Sequence, residues 1–341
     1  MNYNQSNKVV NSHGPAIQQP SWLTDSLQKR MSHYIARYNE IPKSILMNAN
    51  NWRTDNECHT FSMMPDHTNL LYKAKEAFID FSGLAPRIFE GADKVNVFDL
   101  YHTTGYTSLP MVISLFEEER LGKYVPVTAT RDMAKNAIDS IRQTILLSMS
   151  SQVQTTFSYD MINIDIERHS FRESVKDVLD NQDLISQRYI NVYLLGENTL
   201  GNLPNPELFL QHIYESMQAG EKLLLMQAIH RPGVEDLLVE DYINMLPYMQ
   251  KTLQVARYIS QSYVPVVNYD DEIGGITIDI KLQQPEKFGH LDLDEGRFIR
   301  IFRSKRFKMR ELHSMFHKVG FKVNHILFDN SEDNAVVLLC K

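Results

Sequence analysis

From Lys94 onward the chain alternates short apolar runs with longer amphipathic stretches, and this rhythm restricts its fold more than any other feature. "KVNVFDLY" (94–101) and "KYVPVTA" (123–129) read as strands, and "TSLPMVISLFEEERLG" (107–122) between them has helical spacing and closes on Gly122. The helix "RDMAKNAIDSIRQTILLSM" (131–149), the strand "TTFSYDMINIDI" (155–166), the helix "FRESVKDVLD" (171–180) and the strand "RYINVYLLG" (188–196) continue the pattern. "PELFLQHIYESMQAGEKLLLMQAI" (206–229) adds a helix, a stop at Gly220 and another buried strand. Strand, helix, strand in this order requires right-handed crossovers, so the expected fold class is α/β with a doubly wound, mostly parallel sheet.

The flanking regions differ. Residues 1–20, rich in Asn, Gln and Ser, are expected to form a disordered arm, and 21–92 a helical N-terminal region. "SWLTDSLQKRMSHYIARYNEI" (21–41) places Trp22, Leu23, Leu27, Met31, Ile35 and Tyr38 near one face, with Thr24 or Asp25 as cap. "DHTNLLYKAKEAFIDFSG" (66–83) reads as a second helix capped by Asp66 and stopped at Gly83. The rhythm holds over 93–232 and breaks after Pro232. There a helix (234–259) is followed by "GGITIDIKLQ" and "GRFIRIFRS", expected as an antiparallel pair joined by a charged loop, so 233–310 reads as an inserted α+β region. A helix ending at Gly320 and two strands close the domain over 311–341.

With 43% hydrophobic and 23% charged residues the chain can bury a proper core. A net charge of −7 argues against a nucleic-acid partner. No apolar run has the length needed to span a bilayer, and no secretory leader is evident, so membrane association is not expected and a cytoplasmic location is, with export as an effector left open. Two cysteines, Cys58 and Cys340, fit a reducing compartment and exclude a cysteine-based zinc site. No metal site and no oligomeric state is specified by the sequence.

In open α/β sheets ligands bind at the carboxyl ends of the strands, near the reversal in strand order. The first such end, "VFDLYHTTGYTS", ends in Asp99 and carries Tyr101, His102 and Thr103 where many nucleotide-binding turns have glycines. Asp99 would stand beneath a ligand whose polar part meets the N–H groups after His102; an ordinary strand-to-helix turn is the other reading. At the second end Thr128 can bond one ribose hydroxyl, while Asp132 reads equally as an acid in the first turn of a helix. Asp165 at the third end could receive an amino group or simply face solvent. The fourth end, "LLGENTLGNLPNPE", offers glycines for close approach at Gly196 and Gly201 and side-chain amides at Asn198 and Asn202 for a polar substrate.

"VYLLGENTLGNLPNPELFLQHIYESMQAGEKLLL", together with "VFDLYHTTGYTS…YVPVTAT" and "FRSKRFKMRELHSMFHKVGFKV", resembles the histidine-specific methyltransferase family over about residues 95–341. The resemblance implies a Rossmann-like domain with an inserted substrate domain. It also implies methyl transfer from S-adenosylmethionine to the nitrogen of a small, amino-acid-like substrate. On this resemblance Asp99 matches the acid at the first strand end, Gly105 lies in the aligned loop, and Asp165 falls near the adenine contact. Asn202 matches the loop asparagine that holds the substrate, and Ser304 a serine near it. The chain departs from the family in the Tyr-His-Thr loop, in the missing ribose acid and in a strand-four loop one residue longer.

Other stretches have bland and functional readings. "RFIRIFRSKRFKMR" (297–310) could hold an acidic ligand, or form a solvated face balancing "LDLDE" (291–295). Tyr242, Tyr248, Tyr258, Tyr263 and Tyr269 line a pocket or belong to the core. Tyr101 could offer its ring to a sulfonium. No side chain declares itself catalytic. Two functions therefore stand side by side: a methyltransferase, or a member that has lost catalysis and serves as a binding or regulatory module, such as a bacterial effector.

Overall fold

The computed structural model describes residues 25–41, 85–101, 108–148, 157–180, 187–196, 198–246, 256, 259–329 and 332–341. The expected arm (1–20), the helix over 66–83, Cys58, His102, Gly105, Tyr248 and Tyr258 lie outside them. The chain divides into two compact units, residues 1–46 with 233–304 and residues 47–232 with 305–341.

The larger unit contains strands β1 (Lys94–Leu100), β2 (Leu121–Thr128), β3 (Ile162–Asn163), β4 (Tyr189–Leu195) and β5 (Lys222–Ala228). β11 (Lys322–Phe328) and β12 (Asn334–Cys340) complete a seven-stranded sheet of order β11-β12-β5-β4-β1-β2-β3. The first five strands run parallel, and β12 is antiparallel to both β5 and β11. The chain steps outward from β1 to β3 and then returns to β4 on the other side of β1. The carboxyl ends of β1 and β4 therefore flank the switch point of a doubly wound α/β fold.

Strand alternation supplies both faces of the core. Val95 and Val97 pack with helices α3 (Leu109–Glu117) and α4 (Arg131–Ser148), through Met111, Val112, Leu115, Ile138 and Ile141. Phe98 and Leu100 point the other way, toward α6 (Pro206–Ser216) and α8 (Met309–Val319), through Phe209, Ile213, Leu312 and Phe316. The remaining described helices of this unit are the short α2 (Ala85–Ile88) and α5 (Arg172–Leu179).

The structure corrects two expectations. The helix after β1 ends at Glu117, and Gly122 lies within β2 instead of closing it. A Cβ there would collide with Asn96 Oδ1 and crowd the Tyr189 ring, so the glycine serves close packing of three strands. The stretch 155–166 forms only the two-residue β3 and an isolated bridge from Tyr159 to Tyr124 among its described residues. β3 is an edge strand with one neighbour, so nothing forces its alternating residues to pair along their full length.

The smaller unit holds α1 (Asp25–Tyr38), α7 (Glu235–Met245), strands β6 (Tyr263–Asp270), β7 (Gly275–Leu282) and β10 (Phe298–Lys305) in the order β10-β7-β6, and the hairpin of β8 (Glu286–Phe288) and β9 (Leu291–Leu293). Met31 and Ile35 of α1 are fully buried. The expected neighbours β7 and β10 do lie side by side, and β6 is an addition. Its Pro265 argues against a central strand but is tolerated at an edge. Arg303 makes two hydrogen bonds to the buried Glu40, and Arg300 bonds Asp279 (3.1 Å) and Asp270 (3.2 Å). Three of the seven cations in the basic stretch, Arg300, Arg303 and Lys305, are thus engaged by acids, Lys305 by Glu311. Burial raises the Glu40 pKa even against the pull of Arg303. Tyr242 packs on Phe302 with ring centroids 5.6 Å apart, and Tyr263 is buried.

At the amino-terminal edge of the large sheet Asn96 donates to Asn191 (2.8 Å), Asn191 donates to Glu221, and the Gln218 N–H donates to the other oxygen of Glu221 (2.6 Å). Burial nevertheless raises the Glu221 pKa above the ordinary glutamate value. A carboxyl whose folded pKa is raised stabilises fully below its unfolded pKa, and that contribution disappears as pH rises through the folded value. Melting curves of wild type and Glu221→Gln should therefore diverge with pH. The wild type loses stability relative to the variant as pH rises above about 4.5, and a constant difference would contradict this assignment.

Candidate active site at the carboxyl edge of the sheet

Asp99 is the sixth residue of β1, paired in register with Pro126 of β2 and Leu194 of β4, and is completely buried. Its Oδ2 accepts from Ser108 Oγ and from the Tyr124 hydroxyl, each at 2.7 Å. Burial, then the Asp99 charge, pushes the Tyr124 pKa well above the usual phenol range, so this group stays a donor. Asp99 Oδ1 is buried without a hydrogen-bond partner among the described residues.

Tyr101 follows with φ of 62°, the left-handed geometry that glycine ordinarily supplies. Its N–H still donates to Val127 O (2.9 Å). Strict alternation would put its side chain on the Asp99 face; instead it joins Leu100 in the opposite core. The ring meets Phe209 edge-on at 5.5 Å, and the hydroxyl donates to Asp165 Oδ1 (2.8 Å), with Glu167 Oε1 at 3.3 Å. Burial and the two carboxylates push the Tyr101 pKa well up. The structure thus brings Tyr101 and Asp165 together at the ends of β1 and β3.

Thr128, at the end of β2, is buried and donates to Thr130 O (2.7 Å), which leaves its oxygen free only to accept. Thr130 Oγ1 in turn accepts from Met133 N (3.4 Å) in the first turn of α4, the turn that also carries Asp132.

After β4, Gly196 O accepts from Thr199 N (3.1 Å), opening a 3-10 turn over Thr199–Asn202. Asn198, left-handed at φ 54°, uses both ends of its amide inside the protein. Its Oδ1 accepts from Gln227 Nε2 and from Ala228 N (3.3 Å), and its Nδ2 donates to Lys305 O (3.2 Å). Gly201 lets the Lys305 carbonyl approach, where any Cβ would collide with it. The partners of the Asn198 amide thus lie within the protein, where the sequence reading expects a substrate contact. Asn202 Oδ1, by contrast, is buried and has no partner among the described residues, and the same is true of Gln227 Oε1 near the end of β5. Sequence reasoning passes over Gln227, although its signal is visible: a lone amide in the apolar run "LLLMQA". Ser304 lies half-buried near the end of β10 and belongs to the smaller unit.

Three buried, unmatched oxygen acceptors thus stand at or just beyond the carboxyl ends of the adjacent strands β1, β4 and β5. A buried acceptor without a donor costs about 1–3 kcal/mol, which a ligand rich in N–H and O–H groups would recover. A cavity of ≈ 750 Å³ opens at the opposite edge, lined by Asn96, Arg188, Asn191 and Glu221 among others. Asn96, Asn191 and Glu221 there bond one another, and it lies at the amino ends, away from the switch point.

The profile of the family described as "Histidine-specific methyltransferase, SAM-dependent" matches residues 110–341. The chain belongs to this family. Its cofactor is S-adenosylmethionine, and the family points to a small-molecule substrate. The matched span begins within α3 and leaves out β1 and the loop that carries Tyr101, His102 and Thr103. No curated protein matches the chain in sequence. Among solved structures it is similar to the mitomycin 7-O-methyltransferase MmcR, at 11% identity and TM-score 0.44 over 92% of this chain and 66% of that one. It is also similar to a SAM-dependent methyltransferase of Methanosarcina mazei (10%, TM-score 0.39, covering 76% and 96%). A third is an S-adenosylmethionine-dependent methyltransferase of Mesorhizobium loti (10%, TM-score 0.35, covering 78% and 100%). The unmatched acceptors fit such a cofactor, whose ammonium, amino and ribose groups are all donors. Among the described residues no helix is long and apolar enough to cross a membrane, and no group of three or more His, Cys, Asp or Glu could hold a metal.

The Tyr101 hydroxyl replaces what glycine does in a different way, by tying two strand ends together. Tyr101→Phe should lower the unfolding free energy by about 1–3 kcal/mol, because Asp165 loses a buried donor. Urea unfolding measures this, and an unchanged midpoint would contradict the bridge.

Proposed function

We propose that this protein methylates a nitrogen of a small amino-acid-like molecule. The observation that carries the reading is the row of buried, donor-seeking oxygens at the ends of β1, β4 and β5. The cofactor supplies an electrophilic sulfonium methyl. Asp99, Tyr101, Thr128, Asp165 and Gly196, with His102 and Gly105, are the residues proposed to hold it: Asp99 Oδ1 accepts from its donors, and Asp165 is presented by the Tyr101 hydroxyl. Asn202 Oδ1 is proposed to accept from the substrate's amine. Methyl transfer asks little more of the protein than alignment and exclusion of water, so positioning dominates the rate. We place the reaction in the cytoplasm.

One observation favours a second reading, a catalytically silent binding module. Tyr101 stands where glycine usually permits close approach, and its hydroxyl already occupies Asp165 Oδ1. Calorimetric titration with S-adenosylmethionine separates the two. Catalysis requires micromolar binding that Asp99→Asn weakens by about tenfold or more, the worth of a hydrogen bond to a buried charge. No heat at millimolar cofactor would favour the silent module.

A further inference from the structure

We propose that Gln227 reads an N–H donor of the substrate, an assignment that rests on the amine-methylating reading above. Gln227 is fully buried near the carboxyl end of β5, which packs against the Thr199–Asn202 turn. Its amide cannot turn over freely. Nε2 donates to Asn198 Oδ1 and to Ala228 O (3.2 Å), so the nitrogen side of the amide is fixed and Oε1 is left on the other side. Asn198 is fixed in its turn, since its Oδ1 also accepts from Ala228 N and its Nδ2 donates to Lys305 O. Gly201 admits the Lys305 carbonyl that completes this lattice. Both amide nitrogens in it are engaged, and Gln227 Oε1 is its one amide atom left without a partner among the described residues.

A buried acceptor held rigidly and left unmatched is a poor way to build a core, where Leu or Met would do better. It is a good way to select a ligand, because a site built to accept a hydrogen bond rejects molecules that cannot donate one. Asn202 Oδ1, at the end of the neighbouring turn, is a second acceptor of the same kind. Two unmatched amide oxygens favour an amine or a ring N–H over a carboxylate. The source of the donor, α-amine or side-chain ring, is the part an experiment must separate.

L-Histidine and L-phenylalanine serve as probes, titrated into wild type and Gln227→Met saturated with S-adenosylhomocysteine. The variant keeps the side chain's length and removes the acceptor together with the Nε2 donor. Its affinity for histidine should fall by about tenfold or more and its affinity for S-adenosylmethionine should stay within about twofold, while its melting temperature falls because Asn198 Oδ1 and Ala228 O lose that donor. An equal loss for phenylalanine assigns Gln227 to the α-amine, and a loss for histidine alone assigns it to the ring. Histidine affinity within twofold of wild type would overturn the proposal, as would a loss of S-adenosylmethionine affinity as large as that of histidine, which is the signature of a scaffold. Should the variant not fold, the side-chain amide resonances of Gln227 in wild type decide the matter: histidine must shift them, and their indifference overturns the proposal. Wild type that binds S-adenosylmethionine but neither amino acid would overturn the amine-substrate reading itself and this assignment with it.

Discussion

A carboxylate sealed from water has to be given donors, and Asp99 governs how the centre of this sheet is built. Tyr124 on the next strand and Ser108 just before α3 both turn inward to meet one of its oxygens. Those two bonds fix the end of β1 against β2 and set where α3 begins. The other oxygen is left unmatched, at the switch point where the parallel order reverses. Stability alone would replace such a group with an apolar one of similar volume. Its presence at this edge is what the proposed binding site accounts for.

The opposite face of the sheet is built on the same principle. Gln227 shares its side with Leu223 and Leu225, the face toward α6 and α8, while Asp99 shares its side with Val95 and Val97. Unmatched acceptors therefore occur on both faces of one edge, an arrangement suited to two ligands meeting over it. Asn198 and Gly201 belong to the support of this arrangement: one supplies hydrogen bonds, the other space for the Lys305 carbonyl. Tyr101 supports it in another manner. A non-glycine residue in left-handed geometry is strained, and its phenol offsets that strain by reaching Asp165 across the ends of β1 and β3.

Much of this is legible in the sequence, and the misses have physical causes. Continuous apolar runs such as "YINVYLL" and helices with clean spacing match the structure, because local pattern and tertiary environment agree there. Gly122 looks like a helix stop because the contacts that require it, from Asn96 and Tyr189, come from other strands. The stretch 155–166 has the alternation of a strand, yet pairing depends on a neighbour, and β2 offers only Val127 and Thr128. Asn198 and Asn202 are the same residue type four positions apart. The carbonyl of Lys305, more than a hundred residues away, engages the amide nitrogen of the first, while Oδ1 of the second meets no donor among the described residues. The basic run 297–310 has no partners visible in the sequence because Glu40, Asp270 and Asp279 reach it only through the tertiary fold.

The proposed reading puts ligand binding at the carboxyl edge of the large sheet, beside Asp99, Asn202 and Gln227, and not at the hollow on the amino edge. Hydrogen-exchange mass spectrometry with and without S-adenosylmethionine tests that location directly. Slowed exchange in peptides covering 96–101, 126–130, 163–167 and 194–199 is the expected result. Slowed exchange in peptides covering 187–191 and 218–221, with the other edge unchanged, would contradict it.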